Sequence, residues 1–220
     1  MDSRSSAPAS TCAHTGRAKA LAWPSATTLA VFVLVAAAAL GADLATKHVV
    51  FRDFLAASNL DARVAAIIRE YPRPVPPLLV LHQLDLHRPL GAGLRLTMSV
   101  NPGVVFGWDL PRWLVLAATA GTTVIVLAML LTSPRRGALQ VSAIALVFAG
   151  AMGNLYDRLF SCVQLPFVAP IRYHVRDFID ASQLHYPYIF NVADVWLVVG
   201  VGYLLLRSLW PHPKRPDQQK

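Results

Sequence analysis

The sequence predicts an all-α membrane protein: four transmembrane helices, a small β-containing extracytoplasmic element and an amphipathic interfacial helix. Three observations carry this expectation. Of the 220 residues 55% are hydrophobic and only 15% charged, against roughly a quarter charged in an ordinary soluble domain. The apolar residues gather into four blocks, Thr27 to Ala42, Trp113 to Thr132, Ala138 to Met152 and Val192 to Leu206. With its flanks each block approaches the ~20 residues that cross ~30 Å of hydrocarbon. The third observation is the placement of Lys and Arg. Arg4, Arg17 and Lys19 precede span one, Arg135 and Arg136 fill the turn between spans two and three, and Arg207, Lys214, Arg215 and Lys220 follow span four. With four spans all three groups fall on one side, so both termini are expected in the cytoplasm.

Taken in order, residues 1–25 are rich in Ser, Ala and Thr without periodicity and are expected to form a disordered cytoplasmic tail. Residues 26–210 form the four-helix membrane domain, and residues 211–220 a second cytoplasmic tail. Span one is expected from about Thr27 to Phe51, its last turns leaving the lipid. Within it, VAAAALGAD resembles the small-residue end of a cleaved signal peptide. Helical spacing runs on through Asp43, Leu44, Lys47 and Val50, so the segment is expected to stay.

Leu60, Val64, Ile67, Ile68 and Tyr71 then recur at helical spacing with charged residues between them, which suits a short helix in the headgroup layer. PRPVPP, Pro72 to Pro77, breaks it. HQLDLH, His82 to His87, has metal-ligand residues, but a loop or strand pair is the simpler expectation. In LRLTMSV, Leu94, Leu96, Met98 and Val100 alternate with Arg95, Thr97 and Ser99, a strand period ended by the turn residues Asn101, Pro102 and Gly103. The second outer segment, Leu159 to Phe190, has three prolines and several aromatics and is expected to be irregular. Cys12 and Cys162 fall on opposite sides of the membrane, giving neither a disulfide nor a metal site.

The segment from His48 to Arg112 carries seven Arg beside five acidic residues, and the net charge of the whole chain is +8. This excess is read as topology and contact with membrane lipids, not as nucleic-acid binding.

Polar groups in or beside spans are costly and therefore candidates for function. Here they gather at one face. Asp43 and Lys47 lie at i and i+4 near the outer end of span one. Asn154, Asp157 and Arg158 end span three, Asp177 and Asp180 lie in the second outer segment, and Asn191 and Asp194 open span four. Asn101 enters the same layer. Each also has a plainer role. Asp43 and Lys47 make a helix salt bridge with the acid first, Asp157 and Arg158 end a span, and Asn191 with Asp194 imitates a helix cap. The sharper alternative is a pair of carboxyls sharing one proton, the ionised one activating water while the protonated one donates to the substrate. No HExxH pair holds zinc and no GxSxG surrounds a serine. No cofactor is expected.

Five blocks in one order resemble the lipoprotein signal peptidase (signal peptidase II) family. They are DLATK at Asp43–Lys47, NPGVVFG at Asn101–Gly107, AGAMGNLYDRL at Ala149–Leu159, VRDFI at Val175–Ile179 and FNVADVWLVVG at Phe190–Gly200. The resemblance implies an aspartic endopeptidase of the bacterial inner membrane with its active site at the outer face; separately, a monomer is expected. Its substrates would be diacylglyceryl-modified prolipoproteins, cut just before the lipidated cysteine. The catalytic pair it implies is Asp177 and Asp194, supported by Asp43, Lys47, Asn101, Gly103, Asn154, Asp157, Arg158 and Asn191.

Two departures stand out. The stretches from Arg52 to Arg95 and from Asp157 to Asp177 are longer than the family pattern. Asp180, three residues beyond Asp177, is a rival for the first catalytic position. A catalytically dead relative that binds lipidated peptides, and a small transporter relaying protons through Asp43, Lys47 and Asp157, are the other classes to weigh.

Overall fold

The computed structural model describes residues 24–105, 108–109, 111–131 and 137–209. The two expected tails lie outside the described residues, apart from Pro24 and Ser25. Among the described residues four helices are long and apolar enough to cross a membrane: α1 (Ala26–Leu55), α4 (Arg112–Leu131), α5 (Ala138–Phe160) and α6 (Val192–Leu209). α1 begins where the Ser25 hydroxyl accepts the Thr28 N–H at 3.1 Å, satisfying a donor that the first helical turn leaves open. It continues four residues past the expected end at Phe51, because Phe51 and Phe54 are both buried in the outer core.

Helix α5 is the most buried of the four. It meets α6 almost backbone to backbone: a Cβ added at Gly150 would stand 2.5 Å from the Ala193 carbonyl oxygen, and one at Gly200 2.7 Å from that of Ala143. Small residues permit such approach where lipid supplies no hydrophobic drive between helices. Phe32 and Ala36 of α1, Val126 and Leu130 of α4, and Val141 and Ile144 of α5 close the inner core. Val33 and Leu34, Val124 and Ile125, and Val198 and Leu206 are exposed on α1, α4 and α6. Apolar surface of that extent suits lipid.

The outer part is built on a four-stranded antiparallel sheet in the order β1, β2, β7, β8, with β1 His87–Gly91, β2 Leu94–Asn101, β7 Val175–Asp180 and β8 Ile189–Phe190. Two-stranded ladders join β3 (Val104–Val105) to β4 (Trp108–Asp109), and β5 (Cys162–Val163) to β6 (Ile171–Arg172). Beneath the sheet lies an apolar core to which α2 (Leu60–Glu70) contributes Leu60, Val64 and Ile68, and α3 (Pro77–Leu84) contributes Val80, Leu81 and Leu84. The i, i+4, i+8 stripe of α2 thus faces the outer core, while Asp61 and Arg69 mark its polar side.

Two sequence expectations change. HQLDLH is neither a loop nor a strand pair: its first three residues end α3, with Pro77 at the start of the helix, and His87 opens β1. Proline at the first helical position costs no hydrogen bond, so the proline run stops one helix and starts another. The second outer segment is not irregular throughout. It supplies β7, flanked on both sides, and its alternation is masked because Val175, Asp177, Phe178 and Asp180 are all buried.

Candidate active site

Five elements deliver polar side chains to one buried layer. Asp43 and Lys47 sit one turn apart on α1, and their charges meet at 2.8 Å, both fully buried. The Lys47 ammonium also faces Asp157 Oδ2 of α5 at 3.1 Å and donates to Asn154 Oδ1 at 3.1 Å. A buried ammonium is tolerable only when its protons and its charge are met in this way. Asp43 reaches further: its Oδ1 accepts the Ala193 N–H of α6 at 2.8 Å. A Cβ on Gly153 would collide with the Asp43 carboxylate, which is why a glycine faces it. Asp43 therefore joins α1 to the N-terminal turn of α6.

That turn carries a reciprocal cap. Asn191 Oδ1 accepts the Asp194 N–H at 3.1 Å, and Asp194 Oδ2 accepts the Asn191 N–H at 3.1 Å. Two open backbone donors are satisfied by two side chains, the geometry of a capping box. The other oxygen of Asp194 accepts from Asn154 Nδ2 at 2.8 Å. Asn191 Nδ2 in turn donates to Asn154 Oδ1 at 3.1 Å and to Asp177 Oδ1 at 2.6 Å. Asp177 is thus held by Asn191 and Asp194 by Asn154, and the two amides are bonded to each other. In β7, Asp177 lies opposite Ser99 of β2, where the β2–β7 register is irregular between Leu96 and Ser99. Such irregularities re-aim side chains beside sites.

Burial, and then the negative charge of Asp194, push the Asp177 carboxyl up to about 7. Hydrogen bonds from Asn191 and Asn101 and the Lys47 charge act in the opposite direction. Asn101 also accepts the Gly103 N–H at 2.8 Å, closing a turn in which Gly103 has φ of +114°. That φ favours glycine, and a Cβ there would press on Val115 of α4 at 3.1 Å. Arg158 donates to the Asn154 carbonyl at 3.3 Å and acts electrostatically on both Asp177 and Asp194.

A cavity of ≈ 370 Å³ opens beside this layer, lined by Asn101, Gly103, Thr119, Asn154, Arg158 and Asp194 among others. On the other side of Asp194 is a largely apolar groove of ≈ 390 Å³ past Leu184, Tyr186, Phe190, Val195 and Val198. Asp194 is the one dyad candidate that borders both.

All the expected site residues fall in this region. Asp180 does not: it lies at the far end of β7, bound by Arg95 Nη2 at 2.5 Å and by the Ser182 N–H at 2.8 Å. The sequence expectations missed Arg176. Its own N–H donates to Asp157 Oδ2 at 3.0 Å, and its guanidinium to Asp157 Oδ1 at 2.9 and 2.7 Å. The only signal available was its place beside Asp177. Among the described residues no three or more His, Cys, Asp and Glu side chains group in a way that could hold a metal ion.

A sequence profile described as Signal peptidase (SPase) II matches residues 35–210. The chain is 39% identical over 136 residues to a lipoprotein signal peptidase of Caulobacter vibrioides, covering 60% of this chain and 73% of that one. It is 28% identical over 178 residues to one of Brevibacillus brevis, covering 80% and 92%. Among solved structures, a bacterial membrane enzyme at 2.3 Å resolution aligns with TM-score 0.57 and 20% identity, over 85% of this chain and 94% of that one. Another, at 1.9 Å, gives TM-score 0.57 and 21% identity, over 84% and 96%. These two likenesses concern the fold.

Proposed function

The chain belongs to the signal peptidase II family of aspartic peptidases, which remove signal peptides from prolipoproteins, and from that premise we propose how and where it cuts. The substrate is a diacylglyceryl-modified prolipoprotein, cleaved just before the lipidated cysteine, and the catalytic residues are Asp177 and Asp194. The observation that carries this is the asparagine-bridged pair: Asn191 binds Asp177 while Asn154 binds Asp194, at the end of the membrane-spanning bundle.

The roles follow from the surroundings. Asp177, whose carboxyl is pushed up to about 7, holds a proton near neutral pH and donates it to the scissile carbonyl oxygen. Asp194 accepts N–H bonds at both oxygens, as a carboxylate does, and takes a proton from water. The water oxygen adds to the carbonyl carbon. The gem-diol intermediate then breaks its C–N bond as the proton on Asp194 passes to the leaving amine and one hydroxyl returns its proton to Asp177, leaving a free carboxyl product and the dyad with its single proton. Two close carboxyls cannot both ionise cheaply, so one shared proton is the working state. Arg158 and Asn101 border the cavity and Gly103 gives it room. Asp43, Lys47 and Asp157 hold α1, α5 and α6 in place around it.

The working unit is residues 26–210, acting as a monomer in the bacterial inner membrane, with both termini cytoplasmic and the site at the outer face. The charge asymmetry of the loops supports the orientation.

The test is incubation of the detergent-purified protein with a prolipoprotein, with and without its diacylglyceryl group, in the presence of EDTA. The expected product, read by mass spectrometry, begins with the lipidated cysteine, and the unmodified substrate stays whole. Cleavage at another bond, equal cleavage of the unmodified substrate, or loss of activity in EDTA would each overturn this mechanism.

A further inference from the structure

The proposed reaction makes no use of Arg176, yet this side chain is fixed more firmly than a solvent-facing arginine of a strand needs to be. Three donors of one residue, its own N–H and two guanidinium nitrogens, converge on the single carboxylate of Asp157, at 3.0, 2.9 and 2.7 Å. Asp157 is fully buried and Arg176 only 15% exposed. The guanidinium carbon also stands 6.0 Å from the centre of the Phe51 ring. Successive strand residues point to opposite faces, so while Arg176 reaches back to α5, Asp177 turns the other way, toward Asn191.

The same stretch of α5 holds the other carboxyl. Asn154, one turn before Asp157, donates to Asp194 at 2.8 Å and accepts from Asn191 at 3.1 Å. One rigid helical turn therefore grips strand β7 through Asp157 and helix α6 through Asn154. Resting on the proposed function, we infer that Arg176 is a positioning residue: its fork on Asp157 locks β7 against α5 and so sets the separation of the Asp177 and Asp194 carboxyls. Two guanidinium N–H bonds converging on Asp157 Oδ1, with the backbone N–H on Oδ2, fix direction as well as distance, which a point charge does not.

Arg176 also balances charge. Asp43 and Asp157 are both buried, and Lys47 alone would have to serve the two. Arg176→Lys keeps that balance and loses the fork. Arg176→Gln loses both. A positioning role thus separates from a structural one by comparing the two variants.

The experiment measures kcat and KM for cleavage of a diacylglyceryl-modified prolipoprotein, with Tm followed in the same detergent. Wild type, Arg176→Lys, Arg176→Gln, Asp157→Asn and the Arg176→Gln/Asp157→Asn double variant run together. Arg176→Gln is expected to lose about 100-fold in kcat with KM within about twofold, the scale of a misplaced catalytic group. Arg176→Lys should keep a Tm near that of wild type and still lose about tenfold in kcat, because one directional bond replaces a fork. The double variant should be no slower than the worse single one, since both act through one contact. An Arg176→Lys variant with kcat within about twofold of wild type overturns the inference, whatever the fate of Arg176→Gln. So does a loss that adds fully across the double variant. A wild type that does not cleave defeats the proposed function and this inference with it. An active wild type beside an equally active Arg176→Lys defeats this inference alone.

Discussion

Asp177 and Asp180 stand three residues apart on one strand, both with about 4% of their surface exposed, and they are driven in opposite directions. At the inner end of β7, burial and the charge of Asp194 push Asp177 up to about 7. At the outer end burial also pushes Asp180 up, but hydrogen bonds from Ser182 and Arg95 and the Arg95 charge outweigh it and hold that carboxyl below its usual range. Burial alone therefore does not make a working acid. What separates the two is the company: a second carboxyl with neutral amides at one end, a guanidinium at the other.

The largest expected effect tests this contrast directly. Asp177→Asn and Asp194→Asn should each lower prolipoprotein cleavage by about 10⁴-fold, the loss met when one member of a catalytic unit is removed. Asp180→Asn should stay within about threefold of wild type, since it lies outside the groups that act as a unit. A dead Asp180→Asn beside an active Asp177→Asn would move the first catalytic position three residues along the strand.

The next effect is on folding. Lys47→Met leaves Asp43 and Asp157 without their shared ammonium and removes the donor to Asn154. It should cost about 3–5 kcal/mol, as breaking one side of a buried ion pair does, read as lost thermal stability in detergent. A neutral result would mean that the inner layer is far more hydrated than its zero exposure implies.

How much of this contrast was legible beforehand depends on the element. The four spans were legible because lipid demands long apolar blocks and the chain meets that demand without exception. The cap formed by Asn191 and Asp194 was legible as well, since its two residues are local in sequence. β7 was not. A strand between two neighbours, with an active layer on one face and an apolar core on the other, shows no simple alternation, and Val175 to Asp180 carries no clean strand period in the sequence. α3 was hidden by the prolines before it, although Pro77 is the residue that starts the helix. The grip of Arg176 on Asp157 spans 19 positions and crosses from strand to helix, so no short-range pattern could announce it. Asp43 was the opposite case: its salt bridge with Lys47 could be expected from spacing, but its bond to Ala193, 150 positions away, could not.

A third expectation uses pH. A carboxyl raised from 3.8 to about 7 in the folded chain gives stability that is complete below pH 3.8 and is lost as pH rises through 7. Asparagine in its place cannot ionise. Asp177→Asn should therefore match wild type most closely at pH 4 and become the more stable of the two by pH 8, by on the order of 3 kcal/mol. In the wild type the same proton is the one donated to substrate, so cleavage should fall about tenfold per pH unit on the alkaline side of about 7. A rate that stays flat to pH 9 would remove Asp177 from the acid's role.

The smallest effect has the reverse sign and sharpens the comparison most. The carboxyl of Asp180 is held low, so its contribution to stability is present above 3.8 and is lost as pH falls. Asp180→Asn gives up the charge-assisted bonds to Arg95 and keeps a weaker amide in their place, a loss of about 1 kcal/mol at neutral pH because Arg95 is partly solvated. Wild type and variant should converge as pH is lowered below 4, while Asp177→Asn and wild type converge in the same range from the other side. Thermal melts of the three proteins at pH 4 and pH 8 thus give two differences of opposite sign from positions three residues apart. Two differences of the same sign would mean that burial, and not the neighbouring charges, governs both ends of the strand.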